Sequence, residues 1–429
     1  MTKTPPLRIG RMHYAWIVAT LVFAVLIVVA GIRATPGVLM VPMERSLGWS
    51  AATVSAAAGL NIALYGLTGP FAAALMQTLG VRRTMLLGLS LLACAVAAGG
   101  FAREPWELIL AWGVFAGIGV GTLAMVLAAT VANRWFAARR GLVLGWLTAA
   151  TATGQLVFLP LLATVAVAAG WRTATWLVAG VAAAIVVPVA LLMRDRPADV
   201  GLLPYGASAP PAAASSARNP LTVAFASLGR ASRNPAFWVL AGTFFICGAS
   251  TNGLIGTHFI PACGDHGIPE VRAATLLAAM GIFDLVGTTA SGWLSDRVDN
   301  RLLLGVYYGL RGLSLVFLPQ ALDASFVGLS AFTVFYGLDW IATVPPTVRL
   351  ATQAFGLDEG PVVFGWIAAS HQLGAGATAF AAGWMRTALG SYSLAFDISG
   401  TLCLIAALAI VLLRPTRTTV PVALAEPAS

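Results

Sequence analysis

The feature that most constrains this chain is the recurrence of long apolar runs, separated by short basic or Pro/Gly-containing breaks. Crossing the hydrocarbon of a bilayer, roughly 30 Å, takes about 20 apolar helical residues, and a helix satisfies its own backbone polar groups where no water can. Twelve runs meet that requirement, at approximately 14–42, 51–77, 84–102, 106–132, 140–169, 171–193, 236–260, 270–294, 302–319, 323–348, 361–388 and 392–413. Only 10% of the residues are charged and 59% are hydrophobic, too few polar groups to clothe a water-facing surface of ordinary size. The expected fold class is an all-α membrane protein with twelve transmembrane helices.

The basic residues set the expected orientation. With the N-terminus in the cytoplasm, 18 Lys/Arg fall in loops and tails on that side, among them Lys3, Arg8, Arg11, Arg82, Arg83, Arg218, Arg414 and Arg417. Five, Arg45, Arg103, Arg172, Arg272 and Arg386, fall on the other. That imbalance places both termini in the cytoplasm. The first run is too long for a secretory signal and lacks a nearby small-residue cleavage site, so it is expected to stay as a span. The net charge of +9 sits at span ends and forms no aromatic-interleaved stripe, which excludes a nucleic-acid partner. Cys94, Cys247, Cys263 and Cys403 are widely separated, so neither a disulfide framework nor a metal site is indicated, and no cofactor motif is present.

Residues 194–235 are the only long polar interruption, and within them 207–218 is an Ala/Pro/Ser tract unable to hold a helix. The expected division is a six-helix bundle over 1–193, a cytoplasmic linker over 194–235, and a second six-helix bundle with a short tail over 236–429. Both halves join their second and third spans by a short basic turn, Gly80-Val-Arg82-Arg83 and Asp296-Arg297 through Arg301. This is a weak internal repeat of the kind transporters are built from.

Two of these segments resemble loop signatures of the major facilitator superfamily: Gly292-x-Leu294-Ser-Asp296-Arg297, and Trp135-Phe-Ala-Ala-Arg139-Arg140-Gly141 between the fourth and fifth spans. Trp16, Gly48-Trp49-Ser50 and Arg196-Pro197-x-Asp199-x-Gly201-Leu202-x-Pro204-Tyr205-Gly206 are similar to the monocarboxylate-porter branch, which includes oxalate/formate-type carriers. The sequence departs from the superfamily pattern at Gln77, where an acid is expected, and at Asp299, which replaces a glycine. In that branch an acid on the eighth span is followed four residues later by an arginine. Here Asp284 matches the acid, but Thr288 occupies the arginine's place, and Arg33 lies near where eukaryotic members carry a lysine.

Read from the residues, Arg33 lies two-thirds along the first run beside Pro36 and Gly37, which can loosen the helix. A guanidinium keeps its charge at any accessible pH and can grip a carboxylate through two parallel hydrogen bonds, so Arg33 is the candidate anion anchor. Its bland alternative is a side chain snorkelling to the headgroups. A carboxyl binds its proton more tightly when buried and less tightly beside a cation, which makes Asp284 or Asp339 the candidate proton carrier. Asp284 as a simple helix-to-helix contact is the competing reading. Tyr336, Asp339 and Thr343 share one face of the tenth span ahead of Pro345-Pro346, which must break the helix.

Asn61, Tyr65 and Thr68 on the second span, Thr148, Thr151 and Gln155 on the fifth, and Asn252 on the seventh form polar stripes that line a cavity or bridge helices. His371 and His258 titrate near neutrality and can relay protons, or can be satisfied interior histidines. Gly113, Gly117 and Gly121 recur every fourth residue and are read as helix packing. Arg311 has no role assignable from sequence. Substrate contacts are therefore expected at Arg33, Asn61, Tyr65, Gln155, Asn252, Tyr336 and His371, and a cytoplasmic latch at Asp296, Arg297 and Arg301.

The resulting expectation is a bacterial inner-membrane secondary transporter, acting as a monomer, that moves a small organic anion such as a monocarboxylate with protons by alternating access. Drug or organic-cation efflux is the alternative within the superfamily, and a transport-like sensor is the alternative outside it. No nucleophile-base pair or metal spacing supports an enzyme.

Overall fold

In the computed structural model the described residues are 13–413 except 124, 210–219 and 325. Lys3, Arg8, Arg11, Arg218, Arg414, Arg417 and most of the 207–218 tract lie outside them. The long apolar runs form α1 Tyr14–Leu47, α2 Ala51–Thr78 and α3 Val81–Gly100, then α4 Pro105–Trp135, α5 Arg140–Ala169 and α6 Trp171–Leu192. After a linker helix, Pro220–Ala231, come α7 Pro235–Asp265, α8 Glu270–Ser295, α9 Asn300–Ala324, α10 Val327–Gly356, α11 (357–389) and α12 Ser393–Val411. Eleven of these are long and apolar enough to cross a membrane. Ser370, His371 and Gln372 lower the hydropathy of α11, which completes the twelve runs read from the sequence.

The helix ends follow local chemistry. Gly48 closes α1 in the left-handed conformation at φ 68°, and two residues later the Ser50 hydroxyl accepts from Thr53 N to start α2. Asn234 caps α7 ahead of Pro235 in the first turn. Pro36 does not loosen α1, which is helical throughout. Gly37 instead lets α1 come against the backbone of Gly256 and Thr257 on α7. Pro319 is likewise accommodated within α9, so that helix runs to Ala324. α10 is broken, with helix to Asp339, a turn over 340–343, and helix again from Val344. Pro345 therefore sits in the first turn of the new segment, where its missing N–H costs nothing, and the break falls ahead of it.

Glycine contacts reveal the internal repeat. Gly154 seats α5 on Ile27 and Ala30 of α1, and Gly113, Gly117 and Gly121 seat α4 on α2. In the second set, Gly248, Gly253 and Gly374 bring α7 and α11 together, Gly287 and Gly337 bring α8 and α10 together, and Gly312 and Gly400 meet between α9 and α12. Adding six to each helix number converts the first two pairs into their counterparts, and α3 with α6 completes the match to α9 with α12.

The two sets meet along α1–α7, α2–α11 and α5–α8, where the backbones of Gly59 and Gly376 come close and Gly383 takes the Ser55 side chain against it. Those approaches lie toward the face opposite the arginine-rich loops. Arg45 reaches Glu270 at 3.0 Å and Ala52 N donates to Thr387 Oγ1 at 3.1 Å on that same face. On the arginine-rich face the linker helix packs against both α2 and α11, with Trp366 Nε1 of α11 donating to Ala224 O.

Three separated sequence signatures form one knot on the arginine-rich face. Tyr205 N donates to Trp135 O at 2.8 Å and Tyr205 O accepts from Ala137 N, while the Trp16 ring packs edge-on against Phe136 and Tyr205. A Cβ on Gly376 would lie 2.6 Å from Gly59 O, whereas one on Gly242 would meet nothing within 4 Å. Gly376→Leu should therefore lower the melting temperature of the purified protein, since overpacking costs about 1–3 kcal/mol, and Gly242→Leu should leave the melt unchanged.

Candidate functional site

Between the two helix sets, about midway along the bundle, lies a cavity of about 40 Å³. Its polar lining comes from Arg33 on α1, Tyr65 on α2, Gln155 on α5, Asn252 on α7, Trp340 on α10 and Gln372 on α11, so both sets contribute. Ile62, Leu159 and Leu277 supply the apolar remainder. The Arg33 guanidinium carbon stands 5.5 Å from the centroid of the Tyr65 ring, an arrangement that partly offsets the loss of hydration. Among the described residues Arg33 makes no ion pair, and no carboxylate lines the cavity.

Four of the seven substrate residues expected from sequence thus come together: Arg33, Tyr65, Gln155 and Asn252. Asn252 reaches the cavity from a π-helical turn, Ala249–Ile255, which resets the phase of α7. The other three point elsewhere. Asn61 is buried and donates to Trp112 O at 2.6 Å, joining α2 to a second π-helical turn, Ile109–Ala116 in α4. Tyr336 donates to Ser250 O at 2.7 Å inside the second set, and His371 packs on the Phe244 ring at 4.8 Å. His258, the other histidine read from sequence, is buried between Tyr392 Oη and Ala379 O.

Trp340 and Gln372 were not legible as site residues. Gln372 follows His371, and one residue along a helix turns a side chain by about 100°, so the polar patch was visible but its register was not.

Trp340 is presented by the break in α10, and two buried charges hold that break. Interrupting a helix strands N–H and C=O groups that lipid cannot satisfy. Asp284 Oδ1 accepts from Ile341 N at 2.9 Å and from Thr288 Oγ1 at 2.9 Å. From the other side Arg311, whose side chain is fully buried, pairs through Nε with Asp339 Oδ2 at 2.6 Å. Its Nη2 donates to Asp339 O at 2.6 Å and Trp340 O at 3.3 Å, and its Nη1 to Cys247 Sγ at 2.8 Å. Thr343 Oγ1 also meets Cys247 Sγ, so the Tyr336–Asp339–Thr343 face turns into the second helix set. The two candidate proton carriers therefore stand one layer behind the cavity wall, joined to it through the backbone beside Trp340.

The three latch residues all pair within the second set. Asp296 forms an ion pair with Arg349, joining the arginine-rich ends of α8 and α10. Arg297 lies over the Trp293 ring at 4.2 Å and donates to Trp293 O at 2.9 Å. Arg301 pairs with Asp299 at 2.5 Å and donates to Leu413 O at 2.8 Å. Hydrogen bonding from Arg301 holds the Asp299 carboxyl below its ordinary range. In the first set, the acid absent at Gln77 is supplied from beyond α6, where Asp195 Oδ1 accepts from Arg82 N at 2.8 Å.

Removing one partner of a buried ion pair leaves an uncompensated charge and costs about 3–5 kcal/mol, whereas replacing both can be neutral. Arg311→Met alone should therefore unfold the purified protein at markedly lower temperature, and Arg311→Met with Asp339→Leu should recover most of the loss. Equal melts for the single and double variants would contradict this account of the pair.

The family model described as Major Facilitator Superfamily matches residues 21–356 and 265–428. Monocarboxylate transporter 13 of Bos taurus is 27% identical over 395 residues, 91% of this chain and 87% of that protein. An uncharacterized MFS-type transporter, YcxA, of Bacillus subtilis is 25% identical over 351 residues, 80% and 81% of the two chains. Monocarboxylate transporter 11 of Homo sapiens is 26% identical over 399 residues, covering 91% and 81%. Among solved structures, a bacterial homolog of the human lysosomal transporter Spinster, in an inward-facing and unoccupied conformation, matches with a TM-score of 0.74. At 15% sequence identity, over 94% of this chain and 97% of that one, it is a likeness of fold.

Proposed function

Because this chain belongs to the Major Facilitator Superfamily, and is thus a multi-pass membrane transporter and not an enzyme, we propose that its substrate is a small organic anion, a monocarboxylate or a related acid, carried with protons. The observation that carries this reading is Arg33, a fixed cation facing the cavity shared by both helix sets, with no carboxylate paired to it among the described residues. An isolated charge at membrane depth is expensive, by about 2.5–3.5 kcal/mol on insertion scales, so an anion that arrives and leaves is a natural counter-ion. The named relatives, monocarboxylate transporters similar along most of the chain, support the same substrate class.

The asymmetry of closure supports alternating access as the mechanism. The helix sets touch at Gly59–Gly376, Ser55–Gly383 and Arg45–Glu270, all toward the face opposite the arginine-rich loops. Rocking about the α1–α7, α2–α11 and α5–α8 contacts would open that face and close the other. The arginine-rich face, with both termini, is assigned to the cytoplasm of a bacterial inner membrane by its charge excess. A single copy contains the whole cavity, so the monomer is the transporting unit.

Proton coupling is assigned to Asp284 or Asp339. Both contact the turn that carries Trp340, and Asp339 Oδ1 is buried without a hydrogen-bond partner among the described residues. A proton gained or lost there alters the anchoring of Trp340 at the cavity, which links proton and anion occupancy. Asp296–Arg349 and Arg301–Asp299 would stiffen the cytoplasmic ends of the second set as it moves. Organic-cation efflux fits less well, because a cation would meet Arg33 and no acid among the cavity residues.

In proteoliposomes, radiolabelled lactate should accumulate on an inward proton gradient, and Arg33→Gln should abolish it while the variant keeps its wild-type melt. Accumulation of a lipophilic cation such as tetraphenylphosphonium in place of the acid would overturn the assignment.

A further inference from the structure

Arg33 and Tyr65 line a second cavity as well, and its character differs from the first. This space, about 200 Å³, lies within the first helix set between Arg33 and the arginine-rich face. Its wall is Leu26 and Val29 of α1, Val120 of α4, and Leu144 and Leu147 of α5. Thr148 on the same wall donates its hydroxyl proton to Leu144 O at 2.8 Å. Thr151, one turn before Gln155, marks the polar end.

Arg33 therefore stands at a junction. On one side is a space of about 40 Å³ edged by the amides of Gln155, Asn252 and Gln372, with room for little beyond a carboxylate. On the other is an apolar recess larger than the roughly 150 Å³ that accommodates benzene in a protein interior. Among the described residues Arg33 is the only charged one lining either cavity.

We infer that the substrate is an amphipathic monoanion, with one carboxylate on Arg33 and an uncharged apolar tail of about five carbons or one aryl ring in the recess between α1, α4 and α5. This rests on the organic-anion reading above and narrows it. A second carboxylate on the substrate would enter the apolar recess with no cation to meet it, so dianions are disfavoured. Each methylene entering the recess should strengthen binding about fourfold until the space is full.

The test is calorimetric titration of the purified full-length protein with the sodium salts of straight-chain acids from propanoate to octanoate, with phenylpropanoate and with succinate. Affinity should rise about fourfold per methylene from propanoate to hexanoate. Phenylpropanoate should bind at least as tightly as hexanoate, and succinate at least tenfold more weakly than butanoate. Ala129→Phe, which fills the recess, should reduce the hexanoate-to-propanoate affinity ratio at least tenfold. Leu144→Ala enlarges the recess and should move the tightest binder to a longer acid, which keeps the test decisive if the bulkier variant does not fold. Binding that depends on Arg33 but is flat across chain length, or strongest for succinate, would overturn the apolar-tail assignment and leave the organic-anion reading standing. Absence of binding by every acid, or equal binding by Arg33→Gln, would overturn that reading and this inference together.

Discussion

A guanidinium within a lipid-spanning helix must find a partner or a polar space, and this molecule answers that requirement twice in different ways. Arg311 is neutralised inside the second helix set by Asp339, two backbone carbonyls and a thiol. Arg33 has no carboxylate partner among the described residues and faces the central cavity over Tyr65. One arginine serves the architecture, and the other is the group to which the proposed function gives the substrate anion. The glycine contacts exist to bring the helices that carry these groups close enough, and the same three helix pairings do so in both sets.

The broken α10 links the two arginines. A run of unsatisfied backbone groups at membrane depth would be untenable alone, yet here Asp284 takes the N–H of Ile341 and Arg311 takes the carbonyls of Asp339 and Trp340. The indole of Trp340, which opens that turn, then forms part of the wall of the cavity that Arg33 lines. Thr288 belongs to the same arrangement. Where the resemblance to monocarboxylate porters leads one to expect an arginine, a hydroxyl donates to Asp284, and the cation of this layer comes from α9 instead.

The spans were legible in sequence because their length and hydropathy are imposed by the bilayer, and Arg33 was legible because a charge in such a run has few explanations. Side-chain direction was less accessible. Asn61 and Tyr65 are four residues apart on one stripe, yet Asn61 turns to the Trp112 carbonyl in the π-helical turn of α4 and Tyr65 to the cavity. His371 was read from sequence as a substrate contact, but the phase of α11 decides that its neighbour Gln372 lines the cavity instead. Trp340 and the Arg311–Asp339 pair depend on where α10 breaks, four residues ahead of the place that Pro345 suggests. Such local departures from a 3.6-residue period carry no sequence signature of their own, whereas the Trp16, Trp135 and Tyr205 segments did announce themselves and converge in one knot.

The most direct test of the role given to Arg33 is to locate a bound acid. Crystals of the protein soaked with bromopropanoate can be measured at the bromine absorption edge, which fixes the ligand independently of its shape in the density. The account predicts a bromine peak at the Arg33 end of the recess between α1, α4 and α5, with the carboxylate bonded to the Arg33 guanidinium on the side of the cavity that Trp340 lines. A carboxylate bound elsewhere, with Arg33 extended toward the lipid headgroups, would contradict it.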